Sequence, residues 1–219
     1  MCPCASERKE MNRRIGMAAS IITGTGVAGF SLSMLLGADV LSFFFSMVIA
    51  WGFVPLAVVF AVYTPPDRRA AAFSGAAFSV VYTVLVMVVY YAQLTAVRSG
   101  TLGAEASTLL DFKQFGLFFS YDLLGYAFMA LSTFFTGLSI RPADGCGRWL
   151  KGLLMVHGVF FIGCVAMPLL GLFYPGMPGG DLTGTVVLEI WCAYFFPVCI
   201  LAFRHFKNLP NNVCAGSAG

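Results

Sequence analysis

The chain has 219 residues, of which 59% are hydrophobic and 11% charged, with a formal net charge of +3. A soluble domain carries roughly 25% charged residues, and a chain this short exposes too much outer surface to hide so much apolar matter from water. A soluble globular fold is therefore excluded. So is a nucleic-acid binder, because the basic residues flank apolar runs instead of forming a stripe interleaved with aromatics.

Runs of about 20 apolar residues have the length that crosses a bilayer as a helix. Six occur. A basic segment, 1–14, carries Arg8, Lys9, Arg13 and Arg14 and precedes the first run, 15–36. That run is longer than the apolar core of a cleaved leader and is expected to stay as the first helix. Within it, Gly24-Thr25-Gly26-Val27-Ala28-Gly29 matches a dinucleotide fingerprint. That motif needs a strand before it and water in front of it. Inside a membrane helix the small residues instead let helix backbones approach closely.

The second run, 40–63, follows Gly37-Ala38-Asp39 and contains Pro55. The third, 70–97, follows Pro65-Pro66-Asp67-Arg68-Arg69. A longer connection, 98–114, then offers Ser107 or Thr108 as the cap of a short surface helix. Leu109, Leu110 and Phe112 would dip into the interface, and an irregular tether is the alternative. The fourth run is 115–140, the fifth 149–173 with Pro168, and the sixth 183–203 with Pro197. The remainder, 208–219, reads as a tail. The fold class is an all-α integral membrane protein: one domain, 15–207, a six-helix bundle with short loops. Continuous rather than alternating runs exclude a β-barrel. Prolines inside helices remove a backbone donor and read either as static bends or as hinges.

Lys and Arg accumulate on cytosolic loops. With the N-terminus inside, eleven of the thirteen basic residues fall on the inner side and only Arg98 and Lys113 on the outer side. Six of the ten acids lie outside or in the outer helix ends: Asp39, Glu105, Asp111, Asp122, Asp181 and Glu189. The expectation is both termini in the cytosol, in a plasma membrane or a bacterial inner membrane. Cys2, Cys4, Cys146 and Cys214 fall on the inner side and Cys164, Cys192 and Cys199 within helices, so no disulfide is expected. A metal site built on Cys2 and Cys4 is disfavoured because both lie in a terminus apt to fray.

Ionisable groups inside a membrane are costly and usually face the bundle interior. Asp122 and Glu189 both lie about 10 Å below the outer end at 1.5 Å per residue. Gln93, with Tyr90 beside it, approaches the same level, and Tyr121 and Tyr126 flank Asp122. Two carboxyls close together in low dielectric do not both stay charged: one takes up a proton, or a cation sits between them. Three readings stay open. The groups form an outward-facing pocket for a cation, an amine or a proton; they lock helices together through hydrogen bonds; or both carboxyls reach the interface and pair with Arg98 or Lys113. His157 lies about 12 Å from the inner end, too deep to touch Asp122, and reads either as a relay group or as a neutral side chain with one hydrogen bond. No hydrolase signature and no metal-ligand spacing appears.

The sequence therefore points to small-solute or cation binding and transport. A membrane enzyme acting on a lipid or quinone, and a non-catalytic subunit, are the alternatives. Neither a cofactor nor a catalytic residue is expected. The partners expected are membrane lipids, a small cation, amine or proton, and further copies of the chain.

Overall fold

The computed structural model describes residues 3–174 and 180–209, with side chains from 7–174 and 182–209. Expectations about Cys2, Cys4, Cys214, the Asp181 side chain and the 210–219 tail lie outside those residues. The described chain is helical, with no strand among the described residues. Six of its helical stretches are long and apolar enough to cross a membrane.

The helices are α1 (Pro3–Leu35), α2 (Asp39–Tyr63), α3 (Arg69–Ala92), α4 (Ala104–Leu110), α5 (Leu117–Ser139), α6 (Gly145–His157), α7 (Phe160–Leu169) and α8 (Gly180–Lys207). Their ends follow local chemistry. At the end of α1, Gly37 takes φ 63°. The amides of Gly37 and Ala38 reach back to Met34 O and Ser33 O at 3.0 and 2.8 Å. This paired arrangement satisfies the last carbonyls and needs a residue free of Cβ strain. Gly171 (φ 64°) repeats it after α7, with Gly171 bonded to Pro168 O and Leu172 to Met167 O. Asp144 caps α6, its carboxylate accepting from Gly147 N at 2.7 Å, as an N-terminal cap should.

Several elements differ from the sequence-based boundaries. α1 extends far upstream of residue 15, and there Glu10 accepts from Arg13 and Arg14 at 2.9 Å, so the basic segment joins the helix. The third span ends in a π-helical turn, Gln93–Val97. The fifth span is broken: α6 and α7 are joined at Gly158-Val159 by tight backbone bonds such as Phe161 N to Gly158 O at 3.1 Å. The break falls at Gly158, not at Pro168, which sits within α7. At Gly158 a Cβ would collide with Phe134 of α5, so the two helices approach closely at the break. The surface helix α4 exists, but Gly103 is its N-cap and Ser107 and Thr108 lie inside it.

The spans form a ring in chain order. α1 packs on α2, α2 on α3, α3 on α5, α5 on α6 and α7, and α6 on α8; α8 closes the ring against α1, while α2 also reaches α5. Glycines set the closest approaches. A Cβ on Gly26 would meet the Ile49 backbone of α2 at 2.8 Å, and one on Gly24 would meet Cys199 of α8 at 3.3 Å. The Gly24–Gly29 motif is thus the packing face of α1. Two apolar clusters fill the interior, one around Phe53, Tyr82, Tyr126 and Phe195, the other around Phe60, Leu154 and Phe206.

Candidate functional site

The polar groups of the membrane layer separate into three arrangements. The first surrounds Asp122. It projects from α5 towards α3 and is 4% exposed. Tyr90 of α3 donates its hydroxyl to Asp122 Oδ2 at 3.2 Å. Asp122 Oδ1 has no partner, while the Tyr126 hydroxyl lies close to those of Tyr82 and Tyr90. Asp122 also interacts electrostatically with Tyr82, Tyr126 and, on α7, Cys164. Asp122 and the hydroxyl-bearing Tyr82, Tyr90 and Tyr126 therefore form one buried cluster between α3 and α5. Ser46 of α2 approaches Tyr90 from the remaining side.

An aromatic cover lies over this cage. Phe112 packs against Tyr90, Phe43 and Phe119, with centroids 6.2, 6.1 and 5.1 Å apart. Phe119 stacks edge-on against Phe115 and Phe173. Gln93 holds the cover down. Its amide nitrogen donates to Leu110 O at 2.7 Å, and its carbonyl accepts from Phe112 N at 3.0 Å. Gln93 thus spends both ends of its side chain on the backbone of the long connection. Tyr121 faces outward and is 38% exposed.

The second arrangement surrounds Glu189, on α8. Ser31 of α1 donates to Glu189 Oε2 at 2.6 Å, while Oε1 is buried without a partner. The pair forms the polar floor of a cleft of about 330 Å³ between α1 and α8, walled by Val27, Leu32, Leu35 and Phe196. Leu32, Leu35 and Phe196 are exposed, so the cleft opens sideways through the apolar belt. Among the described residues, no hydrogen bond or ion pair joins Glu189 to Asp122. Lys113, weighed as a partner for these carboxyls, forms its ion pair with Asp39 at 2.6 Å.

The third arrangement holds His157, 1% exposed at the end of α6. Trp191 Nε1 donates to His157 Nε2 at 3.0 Å. An indole N–H can only donate, so Nε2 offers its lone pair and the proton sits on Nδ1. Nδ1 then donates to Thr133 Oγ1 at 2.8 Å, and the Thr133 hydroxyl donates in turn to Ala130 O at 2.9 Å. Every group in this chain is used, and the tautomer is fixed as neutral. Trp191 also packs edge-on against Tyr126 at 5.5 Å. Among the described residues no hydrogen bond joins His157 to Asp122; Trp191 and Tyr126 lie between their two clusters.

Sequence reasoning missed Ser31, Tyr82 and Trp191. The signal for Trp191 was its distance from Glu189, two residues along the same helix at the same depth; Ser31 and Tyr82 lie on other helices and left no such mark. No family model matches this sequence, and neither a curated protein nor a solved structure matches it. What the fold and site define is a class: a six-span helical membrane protein with one enclosed and one laterally open carboxyl site.

Proposed function

We propose that this protein binds amphiphilic amines at the cleft between α1 and α8. In this reading both termini are cytosolic and the membrane is a plasma or bacterial inner membrane, as the eleven-to-two distribution of basic residues favours. The observation that carries the proposal is Glu189 Oε1, a buried carboxylate oxygen without a partner at the floor of a laterally open, otherwise apolar cleft. A charge-assisted hydrogen bond from an ammonium satisfies that oxygen, and an alkyl chain lies along Leu32, Leu35 and Phe196. The volume suits a small ligand.

Ser31 and Glu189 form a hydroxyl–carboxylate pair, which is the element an esterase would use. The cleft lining offers no further hydroxyl or amide side chain to receive a developing oxyanion, which supports binding over catalysis.

The test is binding of a fluorescent long-chain alkylamine to the purified protein in nanodiscs. The matched alkyl alcohol serves as the uncharged control. Glu189→Gln is expected to weaken amine binding about tenfold or more, the scale of a hydrogen bond to a charged group, and to leave alcohol binding unchanged. Equal amine affinity in wild type and Glu189→Gln sinks the proposal.

A further inference from the structure

We infer that the cage around Asp122 is a second binding site, for a single desolvated alkali-metal cation. This is separate from the cleft at Glu189 and rests on different residues. Asp122 Oδ1 is buried without a hydrogen-bond partner, and the hydroxyls of Tyr82, Tyr90 and Tyr126 lie beside it, close enough to interact with one another. An orphaned carboxylate oxygen in a membrane interior carries a large desolvation cost unless a guest meets it. The Tyr82, Tyr90 and Tyr126 hydroxyls each have a lone pair to offer a cation, and Ser46 approaches Tyr90. A set of hard oxygen donors selects a hard cation over a soft one.

Charge sets the valence. Asp122 contributes one negative charge and the phenols contribute none. A monovalent ion leaves the buried site neutral, whereas a divalent ion would leave an uncompensated charge in low dielectric. The cage sits beneath the aromatic cover, which Gln93 pins by two hydrogen bonds, and Phe115 within the cover is held at φ 52°, a costly conformation for a residue with a Cβ.

The experiment is thermal unfolding of the full chain in detergent, at constant ionic strength, in sodium, potassium or choline chloride. For wild type, the melting midpoint is expected to rise with one alkali cation in a saturating manner and not with choline, because a ligand of the native state stabilises by mass action. The rise is expected to vanish in Asp122→Asn and to persist in Glu189→Gln. If Asp122→Asn does not fold, Tyr82→Phe and Tyr126→Phe decide the matter, each removing one oxygen; both should shrink the shift. Identical midpoints in the three salts, or a shift that survives every one of the Asp122, Tyr82 and Tyr126 substitutions, overturns the inference.

Discussion

His157 shows how much one side chain can be fixed by its neighbours. Trp191 donates to its lone pair, Thr133 receives its proton, and Phe160, Tyr194 and Phe195 pack around the ring. Replacing it with leucine keeps the volume but strands the indole N–H and takes from Thr133 Oγ1 the donor it accepts from. The expected cost is about 1–3 kcal/mol, read as a lower melting midpoint. Trp191→Phe, which removes the donor to His157 Nε2 and keeps an aromatic ring, should cost less than His157→Leu. An equal or larger loss for Trp191→Phe contradicts that ranking of the two bonds. Depth was legible in the sequence at this scale. A rise of 1.5 Å per residue places Asp122, Glu189 and Gln93 near one level without any knowledge of neighbours. Their partners were not legible, because partnership depends on the rotation of each helix about its axis. A turn of the α5 helix by a third would take Asp122 away from Tyr90. For this reason Gln93, expected beside the carboxyls, is found binding the backbone of the long connection.

At the scale of the element, glycine positions decide how closely helices approach. A Cβ on Gly52 of α2 would meet the Thr23 side chain and its backbone nitrogen at 2.7 Å, while one on Gly184 of α8 would meet nothing within 4 Å. Gly52→Ala is therefore expected to destabilise the protein by about 1–3 kcal/mol through overpacking, and Gly184→Ala to be neutral or slightly stabilising. Comparing their melting midpoints checks this, and a neutral Gly52→Ala would show that α1 and α2 can part without loss. The six spans were legible, since hydropathy alone marks them, although α1 begins well upstream of the expected boundary at residue 15. The break between α6 and α7 was not. It falls at Gly158, where a Cβ would collide with Phe134 of α5, a neighbour that the local sequence does not reveal. The helix caps at Gly37 and Asp144 were legible in principle, being set by the chain's own chemistry.

At the scale of the molecule, the bundle has a basic end and an acidic end. At the basic end Arg68 donates to Leu138 O and Ile140 O at 3.2 and 3.0 Å, and Arg141 pairs with Asp67 at 2.7 Å. At the other end Lys113 pairs with Asp39. The proposed orientation puts the basic end in the cytosol. Single cysteines placed at Arg148 and at Glu105, in a variant stripped of its native cysteines, are expected to react differently with an impermeant maleimide on intact cells. Position 105 should label and position 148 should not; the reverse pattern inverts the topology. The charge asymmetry is legible in the sequence, because it needs only a count of residues between spans. The division of the polar groups into an enclosed cage and an open cleft needed the ring, which no count reveals.

That ring is closed by its first and last helices, and the closure has a consequence for how the molecule is made. Until α8 enters the membrane, Ser31 lacks Glu189, His157 lacks Trp191, and the groove along Gly24 has no occupant. A bundle without α8 therefore leaves two interhelical hydrogen bonds and one close packing contact unmade, and the docking of that one helix completes all three together.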